Sequence, residues 1–255
     1  MRTIGLNEFI PPIFTRAAKF VSKKFSSLEE GKVKIHPFDS VPNDLNVKWI
    51  MDVGANVGDV AEAALKSYPN SKILCFEPVG QTHDQLTKRM SQFGERSTIY
   101  KVALSDNEAT ADINITTQHG ANSLSPQAKF HQDFNPHVRE VSKEKINLVR
   151  LDDFAVQFPT QKIDIMKIDV EGHELNVLKG GTHFIANNVD VIIIEISLMR
   201  DESLQNQAVF EIFSFLHNLG FCLLNVMDLH HVEGKAMQLV QMDCVFRNTR
   251  KMGLN

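Results

Sequence analysis

Several things are scarce in this chain of 255 residues, and each scarcity removes a class of answer. There are three cysteines, Cys75, Cys222 and Cys244, scattered without metal-ligand spacing. That excludes a disulfide framework and a cysteine-based zinc site, and fits free, buried thiols in a reducing compartment. No apolar run approaches the ~20 residues of a membrane-spanning helix. The first residues carry no secretory core, because Pro11-Pro12 interrupts them and Arg16 and Lys19 follow, so a cytoplasmic location is expected. The formal charge is only −4, from 27 basic and 31 acidic residues, which leaves no footprint for general nucleic-acid binding. What is present is material for a core. Hydrophobic residues make up 43% and charged residues 23%. At this length roughly three-quarters of the unfolded surface can be buried, so no staple is needed.

Residues 1–46 read as an N-terminal arm. Phe14, Ala17, Ala18, Val21 and Phe25 recur at helical spacing among Arg16, Lys19, Lys23 and Lys24. Such a basic amphipathic helix packs on its own domain or on a second subunit, and its alternative is peripheral contact with a membrane surface. From residue 47 to 255 short apolar strands alternate with helical segments, the pattern of parallel βαβ units buried on both faces. Strands are predicted at 48–53, 71–77, 98–104, 164–170, 189–196, 221–226 and 242–247, and helices at 58–67, 82–93, 174–186 and 204–219. Residues 105–150 are too long for a plain connection and read as an insertion over the substrate side, with an extra strand where Ala111, Ile113 and Ile115 alternate with polar residues. The last two strands leave no room for a helix between them and should pair antiparallel.

The first strand runs into Asp52-Val53-Gly54-Ala55-Asn56-Val57-Gly58, a glycine-bearing turn that opens a helix. Such a turn brings backbone N–H groups and a helix N-terminus close to a ligand. The second strand ends in Glu77-Pro78, where an acidic residue about 20 positions past the glycines can accept hydrogen bonds from ribose hydroxyls. The third glycine of a dinucleotide fingerprint is missing and no Walker A run exists, which disfavours a nicotinamide-dependent oxidoreductase. An aspartate before the first glycine suits an ammonium-bearing nucleoside instead, and S-adenosylmethionine (SAM) has a ribose, an adenine and an amino-acid tail.

The chain resembles the FkbM-type methyltransferases of the class I SAM-dependent group. The resemblance is carried by "MDVGANVGDVA" at 51–61, "FEP" at 76–78, "VALSD" at 102–106, "LDDF" at 151–154, "IMKIDVEGHELNVLKGG" at 165–181 and "IIIEI" at 192–196. It implies an α/β, Rossmann-like class I fold: a seven-stranded, mostly parallel sheet with one antiparallel strand and helices on both faces. It implies that Asp52, Gly54, Ala55, Asn56 and Gly58 flank the methionine and ribose, with Glu77 and Pro78 at the ribose. Ala103, Leu104 and Ser105 would lie near the adenine, and Asp169 near the transferring methyl. S-adenosylhomocysteine is the implied product, and the implied acceptor is a hydroxyl of a small molecule, sugar or natural product.

Transfer to a hydroxyl is in-line displacement at a sulfonium carbon and requires the hydroxyl to lose its proton. In Lys167-Ile168-Asp169-Val170-Glu171-Gly172-His173-Glu174, Lys167 and Asp169 share a strand face. Asp169 is the first catalytic candidate, as base or as holder of the ammonium or a hydroxyl. Glu171 is the second, and His173, with an unperturbed pKa of about 6.5, the third. Asp169, Glu171, His173 and Glu174 could also hold Mg²⁺ or Ca²⁺, but carboxylates early in a helix serve more often as caps, so no metal is assigned. His119, Asn122 and Ser123 in the insertion and Glu195 at the end of the fifth strand are substrate-side candidates. A homo-oligomer is compatible with this reading, as is a SAM-binding scaffold without catalysis.

Overall fold

The computed structural model describes residues 38, 41–124, 137–198, 207–231 and 239–251. The amphipathic pattern at 14–25 lies outside these residues. In chain order the elements are β1 (Trp49–Val53), α1 (Asp59–Ser67), β2 (Lys72–Phe76), α2 (Gly80–Met90), β3 (Ser97–Tyr100), β4 (Ala103–Ser105), β5 (Ala109–Thr116) and β6 (Glu140–Arg150). They continue with α3 (Leu151–Phe154), β7 (Ile163–Ile168), α4 (Glu174–Gly180), α5 (Thr182–Asn188), β8 (Val189–Ser197), α6 (Gln207–Asn218), β9 (Phe221–His231) and β10 (Leu239–Asn248). Among the described residues, no helix is long and apolar enough to cross a membrane.

Seven strands form one sheet in the order β3-β2-β1-β7-β8-β10-β9. All the pairings from β3 to β8 are parallel, and β10 runs antiparallel to both β8 and β9. This is the class I methyltransferase arrangement expected from the sequence. Side-chain alternation drives it. Ile50, Ile73, Ile165 and Val191 face Ala61, Ala64, Leu65, Leu86 and Met90 of α1 and α2. Met51, Leu74, Met166 and Ile192 face Val177, Leu178, Ile185, Ile212 and Leu216 of α4, α5 and α6. Helices therefore cover both faces, and each fully buried aliphatic side chain contributes about 1.5–3 kcal/mol. The first of these cores also takes in Phe38, Val41 and Val47, from the chain ahead of β1.

The strand order reverses between β1 and β7, and a crevice opens outside the carboxyl ends of strands at such a point. A second sheet, β4-β6-β5, stands beside it. Here the structure departs from the sequence expectation. Residues 98–104 do not form one strand. β3 ends at Tyr100, which pairs with Phe76, and the chain then turns so that Ala103–Ser105 pairs with Leu148–Arg150 of β6. The helix expected over 174–186 is two helices meeting at Gly181. The tight spot is Gly180, where a Cβ would come within 1.7 Å of the Ser105 carbonyl oxygen. α4 thus lies directly against β4, and only glycine permits that approach.

Candidate active site

One cleft runs along the tips of β1, β2 and β7 and under the second sheet. Its floor begins with the β1–α1 turn. Gly54 and Ala55 both donate their N–H groups to the Phe76 carbonyl, each at 3.0 Å. Those donors are therefore spent on the sheet and not offered to a ligand. Gly54 (φ +82°) serves close packing, since a Cβ there would stand 1.9 Å from the Asp169 carbonyl oxygen. The absent side chain is what lets the β1 turn and the tip of β7 meet. Gly58 does not line the cleft; at φ +87° it starts α1 against Leu86.

Glu77 ties the turns together. Its Oε2 accepts from Asn56 N at 2.9 Å, and its Oε1 accepts from Val79 N at 3.0 Å and from Thr82 Oγ1 at 2.7 Å. A carboxylate has about four lone-pair positions, so these three bonds leave one for a ligand hydroxyl. Burial pushes the Glu77 carboxyl above the ordinary range, and the bonds from Thr82, Val79 and Asn56 pull back. Glu77 and Pro78 line the cleft, as do Gly54, Ala55 and Asn56. Ala103 and Leu104 line it further along, beneath Val79, Ile113, Leu124 and Ile146. The second sheet supplies much of this apolar wall; Ile113 lies in the alternating run read from the sequence, whereas Val79 and Ile146 had no signal that placed them here.

Asp52 stands behind the cleft wall, at 1% exposure, and neither of its oxygens has a hydrogen-bond partner among the described residues. Burial raises its pKa from 3.8 to about 6; Lys167 opposes the rise, and Asp169 and Glu77 add to it. The side-chain oxygen of Asn56 is also buried and unpartnered. Asn56 lines the cleft, and its orphaned acceptor fits a ligand that brings hydrogen-bond donors, while Asp52 can act on such a ligand only as a buried acid behind the wall.

On the neighbouring strand, where Lys167 is the register partner of Asp52, Lys167 Nζ donates to Asp169 Oδ2 at 2.7 Å. Lys167 is 6% exposed. Burial works to lower its pKa, but the carboxylates of Asp169 and Asp52 outweigh that and hold it above the usual lysine range. A lysine inside the apolar strand Ile163–Ile168 was visible in the sequence, yet nothing there marked it as the cation on which several acids converge. Asp169, Glu171 and Glu195 each have a carboxylate oxygen within 4.8 Å of the others. Among the described residues, this trio, rather than the set with His173 and Glu174 weighed from the sequence, has the chemistry that suits a hard cation. Glu174 Oε1 is turned to the backbone, accepting from Gly172 N at 2.6 Å and Val170 N at 3.3 Å. Burial raises the Glu195 carboxyl well above normal, Asp169 and Glu171 add to the rise, and Lys167 counteracts it. Asp243, which sequence reasoning missed, is the register partner of Glu195 across β8 and β10, and burial raises its pKa to about 7.

His173 lines the cleft and its Nε2 lies 2.9 Å from Ser105 Oγ, so two residues expected at opposite ends of the cofactor meet. Ser105 itself lies behind the wall, at 1% exposure. In the insertion, His119 and Asn122 line the cleft, and the side-chain oxygen of Asn122 also accepts from Thr116 N at 2.8 Å. Ser123 is not at the cleft surface; its hydroxyl donates to the Glu171 carbonyl at 2.7 Å.

Methyltransferase sdnD of Sordaria araneosa is 30% identical over 154 residues, covering 52% of this chain and 60% of the relative. The 2-O-methyltransferase NoeI of Sinorhizobium fredii is 28% identical over 138 residues, covering 52% and 56%. Hexuronic acid methyltransferase AglP of Haloferax volcanii is 26% identical over 155 residues, covering 59% and 56%. The chain thus spans little more than half the length of these curated relatives. A profile of the methyltransferase FkbM domain matches residues 52–223, from the Asp52 turn to β9. The chain belongs to the FkbM family of SAM-dependent methyltransferases.

Proposed function

We propose that this protein O-methylates a hydroxyl of a small molecule or sugar. The observation that carries the reading is Asp169, a carboxylate on the cleft wall, fixed by Lys167 at 2.7 Å and facing Glu171 and Glu195. Such a group can accept the proton that a hydroxyl must lose. Two relatives carry names that point the same way, one a 2-O-methyltransferase and one a hexuronic acid methyltransferase.

The residues present fit SAM. Glu77 would take a ribose hydroxyl, Leu104 and Val79 the adenine, and Lys167 and Asp169, with Asp52 behind them, the charged amino-acid end. When bound, SAM supplies an activated methyl on a sulfonium, so the protein's work is positioning and proton removal. With SAM bound, Asp169 would accept the proton that the acceptor hydroxyl must lose on methylation. Glu171 and Glu195 accept hydrogen bonds from neighbouring hydroxyls and so orient the attacking oxygen. His173, held by Ser105, closes the adenine side.

A methyl-transfer screen with labelled SAM against sugars, lipids and natural products tests this reading. Label in an ether product is expected. Transfer only to nitrogen or sulfur acceptors would refute the O-methyl assignment.

A further inference from the structure

Glu171 is one of three described non-glycine residues with a left-handed backbone, at φ +48°, and it lies beside the reacting centre rather than in a distant turn. An L-residue holds that conformation only where its surroundings impose it. The surroundings come from the insertion. Ser123, 48 residues earlier in the chain, donates its hydroxyl to the Glu171 carbonyl at 2.7 Å. Ser123 is itself gripped. Asn114 N donates to the Ser123 carbonyl at 3.0 Å and Ser123 N to the Asn114 carbonyl at 3.2 Å. The buried Asn114 amide adds a bond to the Ser123 carbonyl at 3.1 Å. The same stretch of insertion comes close to the cofactor turn, since a Cβ on Gly120 would lie 3.6 Å from the Asn56 amide.

We infer that Ser123 is a positioning residue: it transmits the geometry of β5 to the Glu171 backbone and so holds the Glu171 carboxylate beside Asp169 and Glu195. The inference rests on the methyl-transfer reading above and adds a part to it. It gives the insertion a mechanical task at the reacting centre, distinct from touching the acceptor.

Two measurements test it. The first is amide exchange over residues 169–174 in the protein bound to S-adenosylhomocysteine. Ser123→Ala is expected to speed exchange on the order of tenfold, and Ser123→Thr, which keeps the hydroxyl, to stay near wild type. Unchanged exchange in Ser123→Ala, or equal acceleration in both variants, overturns the inference. The second is a double-mutant cycle with Glu171→Gln, read as methyl transfer to the best acceptor in a panel of methyl glycosides and uronides. Ser123→Ala is expected to lower kcat roughly tenfold at unchanged KM for SAM, and to have little further effect once Glu171 is Gln. Fully additive losses overturn the inference. Loss in Glu171→Gln with none in Ser123→Ala sinks it alone. Absence of S-adenosylhomocysteine binding sinks the methyl-transfer reading, and the exchange comparison, run on the free protein, still decides the Ser123 bond.

Discussion

Lys167 and Asp169 sit two residues apart at the tip of β7, and the ammonium of one rests 2.7 Å from the carboxylate of the other inside an otherwise acidic pocket. Asp52, Glu195 and Asp243 all feel the same lysine. Removing it leaves several buried or half-buried carboxylates without a counter-charge. Lys167→Met is therefore expected to destabilise the fold by about 3–5 kcal/mol, read by urea unfolding. A loss below about 1 kcal/mol would mean that the acids are neutralised some other way.

Asp52 gives a pH signature. Its folded pKa of about 6 lies above the ordinary 3.8, so the folded state binds the proton more tightly than the unfolded chain. The resulting stability penalty is absent below pH 3.8, grows between 3.8 and 6, and is complete above 6. Its size is on the order of 3 kcal/mol. Asp52→Asn should therefore stabilise the ligand-free protein at pH 8 more than at pH 5, while weakening S-adenosylhomocysteine binding. Thermal unfolding at the two pH values checks the first part, and an equal change at both would contradict it.

The Asp52 turn, Glu77 and the Asp169 loop were legible because each ends a strand with residues whose chemistry is local. The rest depends on distant chain. Strand β6, Glu140–Arg150, is polar over most of its length and buries only Ile146 and Leu148, so no period marks it; its pairing with β4 and β5 makes it a strand. The bond between Ser105 and His173 joins residues 68 apart, which no local pattern encodes. Asp243 owes its raised pKa chiefly to burial, with Asp169 and Asp228 adding to it, and that burial follows from the pairing of β10 with β8 and β9, which brings distant chain together.

Ser105 Oγ lies 2.9 Å from His173 Nε2 and holds the ring at the cleft, on the side where we propose that the adenine binds. His173→Gln is accordingly expected to raise the KM for SAM severalfold with little change in kcat. A large fall in kcat with loss of one limb of the pH–rate profile would instead make His173 the base.

Asp169, Glu171 and Glu195 are close enough to share a cation, but Lys167 already supplies positive charge at Asp169. Turnover is expected to survive EDTA. A loss restored by Mg²⁺ would assign the three carboxylates to a metal.

Gly180→Ala tests the seam between α4 and β4. The new methyl would fall 1.7 Å from the Ser105 carbonyl oxygen, a backbone atom that cannot swing away. Destabilisation of at least about 2 kcal/mol is expected in urea unfolding. A neutral result would show that the helix can slide.

The most direct test of the whole account is calorimetric titration of S-adenosylhomocysteine and NADH into the wild-type protein and Glu77→Ala. The account expects one-to-one binding of S-adenosylhomocysteine, a clear weakening in Glu77→Ala, and no binding of NADH. Binding of NADH without S-adenosylhomocysteine, or equal affinity in the variant, would contradict it.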